Sequence, residues 1–555
     1  ISASSFTTES GDLDIEATNG DIVGSVFYAK GQGTDVGSAF ITAGDEFDHN
    51  VVETYLSMDV AASWINGSTF VSETGYVDLE ATKGDIVAGS ATAKQSYVDV
   101  LAKGNIDALS IDAYTYAVLN ATNVLNGSVT AQTDSVTVNA GQFISNQDIN
   151  AATFVSLDAV LDVVGSSVLA GGMVTVGDDA LVRSLHTTQI VAGGPIDINL
   201  SEEMDGSTAN SLSTVNVDAN NVTNSNVDAD GLIDVNAATN ITNSVFKGDL
   251  AGATAVDLFA GDSIRNSDVV TAFGAALLVA QTGEIDATDV QALLDIDATA
   301  GDAISASSFT TESGDLDIEA TLGDIIGSVL YAKIGTAELR AGDEIDATDV
   351  TAGDSIFATA GTYIVASSFT AENGSIDVEA TTGNIVDTTI VLKDNNESAD
   401  DLVLIRAGGE LDAVWVDAAA DIDAAGTHVI SGMYLSETGN VDLVATAGNI
   451  DATTATAKVG YVAATANSIA GNYGNIIGMT VDAFTTATLL AAQDITGGTV
   501  ASLSTATLTA TAGEINGTTV QTNGLADLNA LRDITGVNVD AGQITPAELA
   551  EHFDA

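Results

Sequence analysis

Carboxylates are the one class of reactive side chain that this sequence holds in quantity. Its 555 residues include 78 Asp and Glu against 13 Lys and Arg, with four His, no Cys and a net charge of −65 at pH 7. In GDLDIEAT at residues 11–18, Asp12, Asp14 and Glu16 fall at every second position, and Asp315, Asp317 and Glu319 repeat that strip in the second half. Hard cations such as Ca²⁺ take several oxygens at about 2.5 Å, so these six residues are the candidate metal ligands. Acids carried on a strand stand too far apart to share one ion tightly, and the GGxGxDxUx nonapeptide of calcium-binding rolls does not occur. The plainer expectation is a solvated, self-repelling face that discourages sheet-to-sheet association. Apart from Ca²⁺, no cofactor is expected.

Catalysis finds little else to use. His49, His186, His428 and His552 are isolated, without metal-ligand spacing, and no P-loop, dinucleotide-binding glycine fingerprint or G-x-S-x-G elbow is present. No catalytic residue is assigned and the chain is not expected to be an enzyme. A polysaccharide-active solenoid would need an irregular face with clustered acids, a base and long flanking loops.

Composition removes further classes. Disulfide frameworks and zinc–thiolate sites need cysteine. Nucleic-acid binding needs a basic face, which 13 scattered cations cannot build. Disorder fits badly with an apolar fraction of 45%. The longest apolar run near the middle, residues 273–280, is too short to span a bilayer.

The elements that carry these acids follow from repetition. Residues 1–30 return at 304–333 with three changes (Asn19 to Leu322, Val23 to Ile326, Phe27 to Leu330), and looser copies occupy 67–94, 364–393 and 431–458. Turn glycines at Gly301, Gly323, Gly342, Gly361 and Gly383 are 22, 19, 19 and 22 residues apart. Leu13, Ile15 and Ala17 alternate with the acids, the period of a half-buried strand. In the five copies, the residues one and three before the terminal lysine are all apolar (Phe27 and Ala29, Leu330 and Ala332, for example), so they are expected inside. Strands this short cannot each bury a face, and stacking successive coils solves the problem. The sequence therefore predicts an all-β fold, a parallel β-solenoid of about 27 coils of roughly 20 residues. At roughly 4.8 Å per coil the stack would be about 130 Å long.

Three departures from regularity are expected. Residues 31–37 and 394–401 lengthen their coils. Residues 193–210, with Pro195 and the acidic group Glu202, Glu203 and Asp205, read as a corner or a loop. At the C-terminus, Thr545, Pro546 and Glu548 form a helix-start signal. Residues 1–544 are thus read as the solenoid and 545–555 as a short capping helix, whereas Ile1 enters its coil just after a turn with no cap before it. The recurrent Lys30, Lys94, Lys333, Lys393 and Lys458 are expected to pair with acids of adjacent coils, and Phe6, Phe70, Phe309, Phe369 and Tyr434 to form an internal aromatic column three coils apart. Among the N-x-[ST] sites, Asn396 is the glycosylation candidate because it lies in an insertion.

The motifs GDLDIEAT-x-GDI at Gly11 and Gly314, followed by AGDE-[FI] at Ala43 and Ala341, resemble the haemagglutinin-type repeats of filamentous haemagglutinin-like adhesins. The resemblance covers roughly residues 1–544 and implies a secreted, right-handed β-helix. Repetitive surface and sheath proteins are similar too. The expected function is a non-catalytic extracellular structural subunit of a self-assembling cell-surface filament, sheath or envelope layer, with self-association through solenoid ends or sides. The alternative is an adhesin stalk with a glycan or other cell-surface ligand, and a polysaccharide-active β-helix is the third reading. No nucleic acid and no membrane span enter any of them.

Overall fold

The computed structural model describes residues 1–31, 37–178, 181–393, 401–468 and 474–542. The expected capping helix, most of both insertions and Asn396 lie outside these residues. The described chain is all-β and forms two compact units, residues 1–262 with 266–272, and residues 263–265 with 273–555. Each is a parallel β-solenoid, as its repeats require.

One coil of the second unit shows how the sequence is spent. Ile304–Ser305, Ser308–Thr311 and Leu316–Ala320 are three short strands separated by turns. Ile325–Ile326, Val329–Ala332 and Ala337–Ala341 repeat them one layer on, in parallel register. Ile304, Phe309, Leu316, Ile318 and Ala320 are buried, and Asp317 and Glu319 point outward. The in–out alternation read from GDLDIEAT therefore holds in three dimensions. The first unit follows the same plan. Val77–Ala81 pairs with Met58–Ala62 on one side and Val98–Ala102 on the other.

Turning the chain between the two-residue strand and the next strand poses a geometric problem, and the coils solve it alike. Among the described residues, all eighteen non-glycine residues with left-handed φ fall at this one corner, from Ala3 to Ala452, and nine glycines, from Gly24 to Gly536, occupy it in the other coils. These twenty-seven corners delimit about 26 turns. An L-residue in this region costs about 1–2 kcal/mol, so the surrounding ladder must hold it there. The corner amide itself still bonds to the next coil: Ala306 donates to the Ile326 carbonyl at 2.9 Å and Ala347 to the Val365 carbonyl at 3.0 Å.

The amide after the corner has lost backbone alignment and uses a side chain instead. Thr288 N–H donates to Ser307 Oγ at 3.2 Å, Ser307 N–H to Ser328 Oγ at 3.4 Å, and Thr348 N–H to Ser367 Oγ at 3.3 Å. The hydroxyl in turn donates to the carbonyl two residues before it, as Ser307 does to Ser305 at 2.9 Å. The first unit repeats this with Thr188, Ser207, Ser225, Ser244 and Ser267. All of these side chains are buried. A buried hydroxyl ladder thus closes the hydrogen-bond gap that the corner opens.

The aromatic residues share the expected register but do not form the expected stack throughout. Phe70, Phe309, Phe369 and Tyr434 are buried. Near the start, Phe27 and Phe47 fill the intervening layers, so that Phe6, Phe27, Phe47 and Phe70 stack at 5.2, 6.2 and 5.8 Å. Phe309 and Phe369 are instead separated by Leu330 and Val350. Tyr434 differs from the phenylalanines because its ladder position is glycine. A Cβ on Gly432 would lie 2.6 Å from Tyr434 Cε2 and 3.0 Å from its Oη, so the phenol fills the space of the missing ladder side chain. Its hydroxyl is fully buried with no hydrogen-bond partner, and burial pushes its pKa above the ordinary tyrosine range.

The segment 193–210 meets the expectation of a corner at Pro195 and corrects that of a loop. It is an ordinary coil with strands Ile196–Asn199, Glu203–Asp205 and Thr208–Ser211. Pro195 sits at the corner just before the first of these, where its carbonyl accepts from Val174 N–H at 2.9 Å. A proline is tolerated there because the position need only accept.

This core can be probed by two substitutions. Ser307→Ala leaves the Thr288 amide buried without an acceptor and should destabilise by about 1–3 kcal/mol, read as a lowered urea midpoint. Tyr434→Phe removes an unpaired buried hydroxyl and should raise the midpoint, by an amount worth about 1–3 kcal/mol. A Tyr434→Phe variant less stable than wild type would show that the phenol is hydrogen-bonded.

Candidate functional site

Turn acids and strand acids do different work. Asp12 Oδ1 accepts the Ser38 amide at 2.9 Å, and Asp315 Oδ1 accepts the Thr336 amide at 2.7 Å, each on the next coil. Asp85, Asp324 and Asp494 cap the following coil similarly. Of the strand acids, Asp14 and Glu16 lie beside Phe40 and Thr42 on the next coil, so no acid extends their strip in that direction. Asp317 lies between Asp297 and Glu338, with Arg340 Nη1 at 3.1 Å, and Glu319 lies between Thr299 and Arg340. Within each unit, therefore, two of the candidate ligands lie in outward columns and one in a turn, and the three do not form a common centre. Among the described residues no group of three His, Cys, Asp or Glu side chains is placed to hold a metal ion.

The recurrent lysines pair within the chain. Lys30 reaches Glu9 at 3.3 Å, Lys94 reaches Glu73 at 2.5 Å, Lys393 reaches Glu372 at 2.5 Å, and Lys458 reaches Glu437 at 2.7 Å, always one coil back. Lys333 pairs with Glu312 in the same way. These pairs are exposed or, at Lys458, partly so, and each contributes little to stability. Three of the histidines stand beside acids: Asp48 Oδ1 at 2.5 Å from His49, Glu203 and Asp205 at 3.7 and 3.8 Å from His186, and Glu410 at 3.6 Å from His428. His552 lies outside the described residues.

On the outward face of the first unit, Asp59, Asp78 and Asp99 stand in register on successive coils. Beside them the rings of Tyr76, Tyr97 and Tyr116 stack at 5.1 and 4.7 Å with interplanar angles of 9° and 5°. The aromatic surface screens the acids from water. Desolvation, then the charges of Asp99, Asp59 and Glu80, pushes the Asp78 carboxyl up to about 6.

The same two columns continue into an irregular region, of which only Pro195 to Asn199 lie in a segment that the sequence marked as a departure. The residue before each strand runs Tyr116, Ser135, Phe154, Met173, Pro195 from coil to coil. In the strand Val155–Ala159 the outward Ser156 and Asp158 are buried along with the inward residues, and Asp162 is buried beneath the Arg183 guanidinium at 2.8 Å. Next to this covered patch a cleft of about 440 Å³ opens, walled by Phe154 and Met173. Thr175 lines it, 5% exposed, and its Oγ1 has no hydrogen-bond partner.

Acids and amides alternate along the cleft. In one column Asp197, Asn216 and Asp234 follow each other; in the next, Asn199, Asp218 and Asn236 do. Each of these aspartates thus has amides above, below or beside it. Asn216 Nδ2 donates to Asp197 Oδ1 at 2.6 Å and Asn236 Nδ2 to Asp234 Oδ1 at 3.2 Å. Desolvation, reinforced by the charge of Asp218, holds the Asp234 carboxyl above the ordinary range. The signal was present in IDIN, VNVD and IDVN at residues 196–199, 215–218 and 233–236, where Asp and Asn exchange places on the two outward positions. Comparison with family models, with curated proteins and with solved structures returned no match to this chain.

The Asp78 column gives a signed pH prediction. Because its folded pKa of about 6 exceeds the value of 3.8 expected without burial, the folded state binds the proton more tightly. That contribution is complete below about pH 4 and is lost as pH rises through about 6. Thermal melts should therefore show stability falling between those values, with Asp78→Asn recovering about 1–2 kcal/mol at pH 7.5 after allowance for solvent screening. An Asp78→Asn variant with an unchanged pH profile would contradict the assignment.

Proposed function

We propose that this chain is a non-catalytic, exported structural protein, a subunit of a self-assembling filament, sheath or envelope layer at a cell surface. The observation that carries this reading is the commitment of the described strands to pairing with the coils before and after them. Corners, hydroxyl ladders and turn carboxylates all serve the same stack. A backbone bonded layer to layer resists local opening and proteolysis, which suits a load-bearing surface element. Charge supports the same reading: with 78 acids against 13 cations, side-by-side association would depend on ions that screen the repulsion. The likeness to haemagglutinin-type repeats supports export and a surface location. A second reading, the stalk of an adhesin, is favoured by the cleft at residues 154–236, because a purely mechanical element has no need of one.

Electron microscopy of the purified chain at low ionic strength, with and without millimolar Ca²⁺, tests the proposal. Filaments, tubes or layers are expected, more abundant with the divalent ion. Separate particles in both conditions and at high protein concentration would overturn it in favour of the stalk.

A further inference from the structure

The cleft between Phe154 and Asp234 is the one place among the described residues of the first unit where a cavity, a buried unpartnered hydroxyl and a patterned polar surface coincide. Its volume of about 440 Å³ lies within the range of about 300–1,000 Å³ that encloses small ligands. We propose that it binds a neutral oligosaccharide.

The chemistry of the lining selects that class. Asp178, Asp197, Asp218 and Asp234 bring four carboxylates to it, and no Lys or Arg is among the described residues that line it. Uronates, sulfated sugars and phosphates are repelled by such a surface. A bare metal ion or an amine would use the carboxylate and amide oxygens but leave the amide N–H donors of Asn199, Asn216 and Asn236 idle. A sugar hydroxyl both donates and accepts, so it matches a lattice in which acceptors and amides alternate in both directions. Each Asn that donates to an Asp keeps a second N–H for a ligand. The apolar surfaces of Phe154 and Met173 offer a seat for the C–H face of a sugar ring.

Thr175 supplies the independent observation. It is only 5% exposed, it lines the cleft, and its hydroxyl meets no protein partner. A polar group at that depth costs stability unless something completes it, and a ligand hydroxyl would do so once rotation about χ1 brings the covered oxygen to the cleft. The inference does not depend on whether the chain polymerises.

The full chain would be titrated calorimetrically with five neutral trisaccharides, of β-1,4-glucose, α-1,4-glucose, mannose, galactose and N-acetylglucosamine, with trigalacturonate and spermidine as charged contrasts. Saturable binding of at least one neutral sugar is expected, with neither contrast binding more tightly. Thr175→Val and Asp218→Asn should each weaken it about tenfold. Asp78→Asn, outside the cleft, should leave it unchanged. Thr175→Val should also melt no earlier than wild type, since it removes an unpaired hydroxyl, so lost affinity cannot be attributed to misfolding. Absence of saturable binding by all five sugars at about 10 mM, tighter binding of spermidine or trigalacturonate, or affinity indifferent to both cleft variants would each overturn the proposal.

Discussion

Each coil must reverse direction without leaving a buried amide unpaired, and the rest of the structure depends on how it does so. The left-handed corner turns the chain within one residue, and its own amide stays on the ladder. The next amide falls out of alignment and is rescued by a serine or threonine hydroxyl from the neighbouring coil. Because each hydroxyl serves the layer before it, the corners are coupled through the stack. This coupling allows alanine, asparagine and even Thr187 to occupy a region that L-residues avoid. Gly432 and Tyr434 show the rule by exception: where the ladder side chain is missing, a phenol takes its volume but not its hydrogen bond.

With the backbone satisfied inside, the outward positions are left free of structural duty apart from charge. Interior columns of Ile, Val and Ala carry the burial, and acids occupy the outside. The acids then separate into two kinds. Those in turns accept amides of the next coil and remain useful when ionised. Those on strands, such as Asp78, Asp257 and Asp297, are pushed up by desolvation, so ionisation there opposes folding. The net result is a surface that mild acid or screening ions favour. The Lys–Glu pairs offset only a small part of this repulsion, since they are exposed and few.

The cleft at residues 154–236 is where the outward face departs from that plan. Its columns are the continuation of those that carry the tyrosine stack and the Asp78 ladder, so no new architecture was needed to make it. Swapping the tyrosines for Phe154 and Met173, and alternate acids for amides, converts a repelling face into one that offers both donors and acceptors. A regular solenoid can in this way carry a binding function at a few coils while the others serve only the stack.

The sequence alone determined the fold class, because a period of two inside a period of about twenty has one economical solution. It also determined which residues face inward, as Phe27 with Ala29 and Leu330 with Ala332 show, and the register of the five lysines with acids one coil away. What it could not determine was lateral neighbourhood. Residues at equivalent corners of successive coils are 18 to 26 positions apart, and that interval changes from coil to coil. Hence Phe47 in the aromatic stack and the Asp–Asn alternation of the cleft went unread, and 193–210 looked like a break although it is a standard coil. Local periodicity is written into each strand by the alternation of side chains, whereas the site arises from register between coils. Only the folded stack fixes that register.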